Sequence, residues 1–129
     1  MLLNMLSQTD LVPFTKVAGI MLLVDIVYLQ GITAYFNRVV KSIQGKSISI
    51  NVMGAVLSYI TMAFALYYFV LRENRSVIDA AILGLCVYGV FDFTNKALFN
   101  NWDWITVGID MLWGSILFGI VAKFYYLLH

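Results

Sequence analysis

The stretch of sequence that determines the fold reads Tyr88-Gly-Val-Phe-Asp-Phe-Thr-Asn-Lys-Ala-Leu-Phe-Asn-Asn-Trp-Asp-Trp-Ile-Thr-Val-Gly-Ile-Asp-Met-Leu-Trp-Gly114. It contains two apolar segments separated by a short polar turn at 100–103, and each segment holds one carboxylate, Asp92 or Asp110. So short a connection between two helices makes them antiparallel neighbours in a hairpin. A carboxylate inside a membrane segment is costly and is commonly functional. The stretch therefore predicts a membrane-spanning hairpin with two acids inside it.

The composition of the whole chain favours a membrane protein. Of its 129 residues, 62% are hydrophobic and only 12% are charged, and the mean hydropathy is +0.88. A soluble domain carries about 25% charged residues. We therefore predict one integral membrane domain over residues 1–129.

The charge and the rare residue types exclude several classes of function. A net charge of +1 provides no basic face, so nucleic acid is not a predicted partner. The only histidine, His129, is the last residue, and this argues against a His-based metal site among the helices. The only cysteine, Cys86, cannot form an internal disulfide. We predict no metal and no cofactor.

Four apolar runs are long enough to cross a hydrocarbon core of about 30 Å, which takes about 20 helical residues. We predict an all-α bundle of four transmembrane helices at about 14–36, 48–71, 77–99 and 104–128. Pro13 suits the first turn of a helix. Residues 1–13 are then a short amphipathic segment at the membrane surface, and 37–47 form a polar loop.

Four helices place both chain ends on the same side of the membrane. The count of Lys and Arg near the helix ends is tied, and the three Lys or Arg residues of loop 37–47 favour the cytoplasm for that loop. A cell or inner membrane is the expected location. Trp102 with Trp104, and Tyr125 with Tyr126, are predicted to form aromatic belts at the two interfaces.

The polar residues of the helices are predicted to meet in one half of the membrane. A rise of about 1.5 Å per residue puts Asp92 and Asp110 at a similar level, with Asp25 near the midplane. An ionised carboxylate facing lipid costs roughly 2.5–3.5 kcal/mol, so these acids should face inward and be paired or hold a proton. Lys96, one turn after Asp92, is the expected cation. The predicted polar cluster consists of Asp25, Tyr28, Asn51, Tyr88, Asp92, Thr94, Asn95, Lys96, Asp110 and Trp113.

Each member of the predicted polar cluster has a structural and a functional interpretation. The group around Asp92 fits interhelical packing as well as it fits a site. Asp25 and Asp110 favour function, because neither has a cation nearby in sequence. Gly89 and Gly114 are expected to allow close backbone approach. An Asp-x-x-aromatic pattern at 25–28 and again at 110–113, on oppositely directed helices, suggests an inverted repeat.

The same residues resemble the signature of the DUF2177 family of small predicted membrane proteins. That signature is a tyrosine, Asp-[Leu/Phe]-Thr-Asn-x-Ala, a tryptophan and Asp-x-x-Trp-Gly, and the matching residues here are Tyr88, Asp92–Ala97, Trp102, Asp110, Trp113 and Gly114. Asp25 and Tyr28 are similar to the acid and aromatic of the family's first helix. The resemblance implies four helices and an integral membrane location, and it implies no activity.

Two positions depart from the family pattern. Tyr28 stands where the family is expected to have Trp, and Phe91 stands where Tyr is common. A role that needs an indole N–H or a phenol at these positions is therefore in doubt for this chain.

Three functions are compatible with the predicted polar cluster. The first is proton-coupled transport, or binding of a small ligand or lipid; transport would require a homodimer, because one four-helix protomer has little room for a pathway. The second is a structural or assembly factor whose polar groups set helix packing. The third is a lipid-modifying enzyme in which Asp92, Asn95 and Asp110 bind Mg²⁺ or act as acid and base. We rank the enzyme last, because the spacing lacks paired Asp-rich motifs at a water-exposed loop.

Overall fold

The chain forms four long helices, as seen in a computed structural model that describes residues 8–129 and their side chains from residue 10. They are α1 (Gln8–Gln44), α2 (Val52–Leu66), α3 (Val77–Leu98) and α4 (Trp104–Leu128), and a π-helical turn at Tyr67–Leu71 continues α2. All four, with α2 counted together with its π-helical turn as Val52–Leu71, are long and apolar enough to cross a membrane. The predicted all-α, four-helix membrane architecture is confirmed, and the bounds of α3 and α4 agree with the prediction to one residue.

Helix α1 is longer than predicted at both ends. Pro13 lies inside it, so the prediction that this proline begins the helix is wrong; transmembrane helices tolerate proline in their interior. The other end runs to Gln44, so residues 37–44 are not a loop. Residues 1–7 of the predicted surface segment lie outside the described part of the chain, and from Gln8 onward that segment belongs to α1.

The extension of α1 has a packing reason. Apolar side chains one turn apart contact the α3–α4 hairpin; on α1 they are Tyr35, Phe36, Val39, Val40 and Ile43, and on the hairpin Trp102, Val107 and Met111. At 37 residues α1 is about 55 Å long, which exceeds a bilayer of about 40–45 Å. Its last turns therefore extend beyond the membrane or the helix tilts, and Gly45, with φ of 79°, ends it.

Helix α2 starts later than predicted because Asn51 caps it. The Asn51 backbone is extended, and its Oδ1 accepts a hydrogen bond of 3.0 Å from the N–H of Gly54. Ser76 caps α3 and Asp103 caps α4 in the same way. Asn, Ser and Asp are favoured at this position, because their side chains satisfy N–H groups that a helix leaves unpaired.

Helices α3 and α4 cross at two glycines. A Cβ added at Gly84 would lie 2.2 Å from the backbone oxygen of Gly114, and one added at Gly114 would lie 2.3 Å from Cγ of Tyr88. At Gly89 the nearest atom would be Cε of Met111, at 3.1 Å. Small residues at such crossings let helices approach closely in lipid. The predicted role of Gly114 is confirmed, and Gly84 is a second close contact that was not predicted.

Two apolar clusters lie at opposite ends of the bundle. The larger, near the described chain ends, includes Val17, Met21, Ala63, Leu66, Leu117, Phe118 and Val121. The smaller contains Val39, Trp102 and Val107. On α1 and α4, Asp25 and Asp110 fall between the two clusters. The fold therefore holds a buried polar layer between two apolar ones.

Two of the four residues of the predicted aromatic belts lie inside the bundle instead. Trp104 is 65% exposed, as an interface anchor would be. Trp102 and Tyr125 are instead buried within the bundle. Tyr126 is half-buried and donates a hydrogen bond of 2.5 Å to the backbone oxygen of Arg75, which ties α4 to the turn before α3.

Candidate functional site

Three carboxylates from three helices are buried in the polar layer. Asp25 on α1 is 6% exposed, Asp92 on α3 is 0% exposed and Asp110 on α4 is 7% exposed. Among the side chains described, residues 10–129, no Lys or Arg forms a salt bridge with any of them. Buried charges are normally paired or neutralised. The partners of these acids are aromatic N–H and O–H groups and, for two of them, each other.

Asp25 joins three helices through hydrogen bonds. Its Oδ1 accepts from Nε1 of Trp113 on α4 at 2.8 Å, and its Oδ2 accepts from the hydroxyl of Tyr59 on α2. The Trp113 ring stacks on Tyr28 with centroids 4.2 Å apart and planes 8° apart. The two Asp-x-x-aromatic segments of the sequence therefore contact each other here, with Asp25 held as a hydrogen-bond acceptor.

Asp92 and Asp110 form a carboxyl pair between α3 and α4. Oδ1 of Asp92 accepts from Nε1 of Trp102 at 3.1 Å. Oδ2 is buried and receives no hydrogen bond from an N–H or hydroxyl of the described residues. The side chains of Asp92 and Asp110 are within hydrogen-bonding reach of each other. Two ionised carboxylates offer only acceptors, so this contact requires a proton on one of them.

The hydroxyl of Tyr28 is buried. Tyr28 lies one turn after Asp25 on α1, and its ring stacks on that of Trp113, which donates to Asp25. Among the described residues the Tyr28 hydroxyl has no hydrogen-bond partner. Buried hydroxyls are rarely left without one. Tyr28 therefore offers an unused O–H beside the Asp25–Trp113 contact.

A cleft of about 590 Å³ separates α2 from α3 and reaches these acids. Asp25 and Asp110 lie at its floor, and Tyr59, Tyr88 and Phe91 are its aromatic walls. The remaining lining is mostly apolar, and consists of Gly54, Ala55, Leu57, Ser58, Thr61, Met62 and Val87. This volume lies within the range of about 300–1,000 Å³ that is usual for small-molecule sites. The described residues contain no group of three His, Cys, Asp or Glu side chains placed to hold a metal ion.

The sequence between residues 11 and 127 matches the family described as "Predicted membrane protein (DUF2177)". The chain belongs to this family. The DUF2177 match includes the three buried acids and parts of all four helices. It confirms the resemblance seen in the signature from Tyr88 to Gly114. No curated protein and no solved structure matches the chain.

Four residues of the predicted polar cluster make no hydrogen bond or ion pair with the acids among the described residues of this DUF2177 chain. Asn51 is the exposed cap of α2, and Thr94 is also exposed. Asn95 is half-buried, and its side chain makes no hydrogen bond to the described acids. The predicted pairing of Lys96 with Asp92 is wrong, because Lys96 Nζ lies 3.4 Å from the backbone oxygen of Asn100. Lysine in the last turn of a helix is drawn to the unpaired carbonyls there.

Two side chains that contact the acids were absent from the predicted cluster. Trp102 resembled a belt residue, since it sits in a turn, yet it is buried beneath α1 and donates to Asp92. Tyr59 lies one turn after Ala55 and one turn before Met62, so helical spacing could have placed it on the same face. Its contact with Asp25 depends on the rotation of α2, which no local pattern reveals.

Proposed function

We propose that this DUF2177 protein binds a small membrane-soluble cation in the cleft between α2 and α3. The observation that carries the proposal is the pair of carboxylates, Asp25 and Asp110, at the floor of an otherwise mainly apolar cleft. No described Lys or Arg forms a salt bridge with either acid, so their charge is available to a ligand. A cation at the floor would supply the partner that buried carboxylates require.

The aromatic walls of the cleft favour binding of a cation that has an apolar body. Tyr59, Tyr88 and Phe91 present aromatic rings, and cations bind to ring faces with about 0.5–2 kcal/mol each. Asp110 lies about 9 Å along α4 from Trp104. A strongly hydrated ion would lose much of its hydration free energy at that depth. Gly54 and Leu57 at the rim are exposed, so an apolar cation dissolved in the bilayer can enter between the helices.

The proposal is tested by binding of tetraphenylphosphonium to the protein in nanodiscs of phosphatidylglycerol. Asp110→Asn and Asp25→Asn should each weaken binding about tenfold or more, since a lost charged contact costs about 1.5–3 kcal/mol. Asp79→Asn is the matched control, because Asp79 is a surface carboxylate bonded to Arg75 at 3.2 Å. Binding that both variants retain at full strength would refute the cation site.

The lipid composition of the nanodisc identifies the natural source of the cation. Tetraphenylphosphonium binding that weakens when phosphatidylcholine replaces part of the phosphatidylglycerol, after correction for partition of the probe into empty nanodiscs of the same composition, would assign the cleft to a lipid ammonium headgroup. Unchanged binding would assign it to a free lipophilic cation. Transport, and the homodimer that transport predicts, are further steps of the same proposal.

A structural role is the second candidate, and Asp92 is the observation that favours it. Asp92 is fully buried, is bonded to Trp102 and does not line the cleft. Interhelical hydrogen bonds of this kind hold membrane helices together. If Asp25→Asn and Asp110→Asn lower the melting temperature while tetraphenylphosphonium still binds normally, the acids serve packing alone.

A further inference from the structure

We propose that the Asp92–Asp110 pair holds one proton and that a cation entering the cleft displaces it. The protein would then exchange one monovalent cation for one proton. This inference rests on the proposed cation site and adds to it the coupling between ligand and proton.

The first step is the contact between the two carboxyl groups. Asp92 is fully buried, one of its oxygens accepts from Trp102, and its other oxygen has no hydrogen donor among the described residues. The Asp110 side chain is within hydrogen-bonding reach of Asp92. An O–H on Asp110 directed to that free oxygen satisfies both groups, as two carboxyls that share a site hold one proton between them.

The second step is the position of Asp110 between the pair and the cleft. Asp110 lines the cleft, whereas Asp92 does not. A cation at the cleft floor therefore contacts the group that carries the shared proton. Its charge replaces the charge of the proton: the Asp110 O–H bond breaks, the electron pair stays on the carboxylate, and the proton leaves to water. The total charge of the site is the same before and after the exchange.

The surroundings of the pair contain the groups that such an exchange needs. Trp102 of the turn donates to Asp92, and Tyr59 of α2 and Trp113 of α4 donate to Asp25 of α1. Tyr28 of α1 and Tyr88 of α3 are the tyrosines on which both Asp25 and Asp110 act electrostatically. Lys96, the nearest lysine in sequence, is directed to Asn100 instead. Asp25 adds a negative charge that attracts a proton and a cation alike. The buried Tyr28 hydroxyl has no hydrogen-bond partner among the described residues, so it is free to act as a donor.

The experiment measures protons released when tetraphenylphosphonium binds to the reconstituted full chain. Titration calorimetry in buffers of different ionisation enthalpy should give about one proton released per ligand bound, because the pair holds a single shared proton. The affinity should then rise about tenfold per pH unit while the pair is protonated. Asp79→Asn should behave like the wild type.

Asp92→Asn tests proton release separately from ligand binding. The asparagine can keep its oxygen on Trp102 and donate its amide to Asp110, so Asp110 no longer needs a proton. This variant should bind the probe with little pH dependence and release no proton. Retention of full proton release in Asp92→Asn would overturn the inference.

The two proposals fail in different ways. Wild-type protein that binds the probe without releasing a proton overturns the exchange and leaves the cation site standing. Wild-type protein that does not bind the probe overturns both. If Asp92→Asn does not fold, the proton count and the pH dependence of the wild type still decide the question.

Discussion

At the scale of single residues, the shape of the site depends on a glycine, Gly114, as well as on the side chains that line the cleft. Gly114 has no Cβ, and the Tyr88 ring occupies the space where one would be. Tyr88 in turn forms a wall of the cleft. A glycine on α4 therefore sets the position of an aromatic wall on α3.

Gly114→Ala should destabilise the protein by about 1–3 kcal/mol, the usual cost of overpacking. The new methyl would lie 2.3 Å from the Tyr88 ring, so the ring must move and the cleft must change shape. Gly108→Ala is the control on the same helix, where an added Cβ has no neighbour within 4 Å among the described residues. It should change stability by no more than about 1 kcal/mol. Thermal unfolding in detergent measures both, and equal effects of the two variants would contradict the close crossing.

At the scale of helices, the structure differs from the prediction at the helix ends and agrees with it in the middle of each helix. Polar residues after residue 36 looked like a loop, but an apolar stripe keeps α1 helical to Gln44. Asn51 looked like a polar group inside the membrane, but it ends the preceding loop as the cap of α2. In both cases the sequence contains the signal, since Asn at a cap and apolar residues one turn apart are recognisable patterns.

The cap of α4 has a pH dependence that can be measured. Asp103 accepts hydrogen bonds from the backbone N–H and the hydroxyl of Thr106, at 2.8 and 2.9 Å. The backbone bond first, and then the hydroxyl bond, hold the pKa of Asp103 below its ordinary 3.8. Because the folded state favours the ionised form, Asp103 stabilises the protein above that ordinary value. This contribution is lost as the pH falls through the lower pKa of the folded state.

Asp103→Asn isolates this effect, because asparagine also caps helices and does not titrate in acid. The difference in melting temperature between wild type and variant should be constant above about pH 5 and should shrink toward lower pH. Melting curves from neutral pH down to acid pH measure it. A difference that stays constant throughout would show that the charge of Asp103 does not stabilise the cap.

At the scale of the whole molecule, the bundle is a polar layer between two apolar clusters. Tyr35 and Thr106 exchange a hydrogen bond of 2.8 Å near the 100–103 turn, and Asp10 accepts one of 2.5 Å from Tyr67 toward the other end. These contacts place loop 45–51 beside the α3–α4 turn, and they place the described start of α1 beside the turn between α2 and α3. The two ends of the bundle therefore belong to opposite membrane faces.

Cysteine labelling tests this topology and its orientation. In a Cys86→Ser background, Lys46→Cys and Glu73→Cys should be labelled by an impermeant maleimide from opposite sides of the membrane, because both residues are exposed at opposite ends of the bundle. With loop 45–51 in the cytoplasm, Lys46→Cys should react only in permeabilised cells and Glu73→Cys in intact ones. Labelling of both from one side would contradict the four-span architecture, and the reverse pattern would invert the orientation.

The sequence by itself determined the four helices, the antiparallel hairpin from Tyr88 to Gly114, and the family. Hydropathy is a local property of consecutive residues, and a short turn leaves two helices no other arrangement. It also pointed to Asp25, Asp92 and Asp110, because carboxylates are rare in apolar segments.

Only the tertiary structure decided what these acids contact. Asp25 accepts hydrogen bonds from Tyr59 and Trp113. Asp92 accepts one from Trp102 and does not form the expected pair with Lys96. Such contacts depend on how each helix is rotated against its neighbours, and rotation is set by packing over the whole bundle. The hairpin of two acids is thereby resolved into a carboxyl pair of which Asp110, but not Asp92, lines the cleft between α2 and α3.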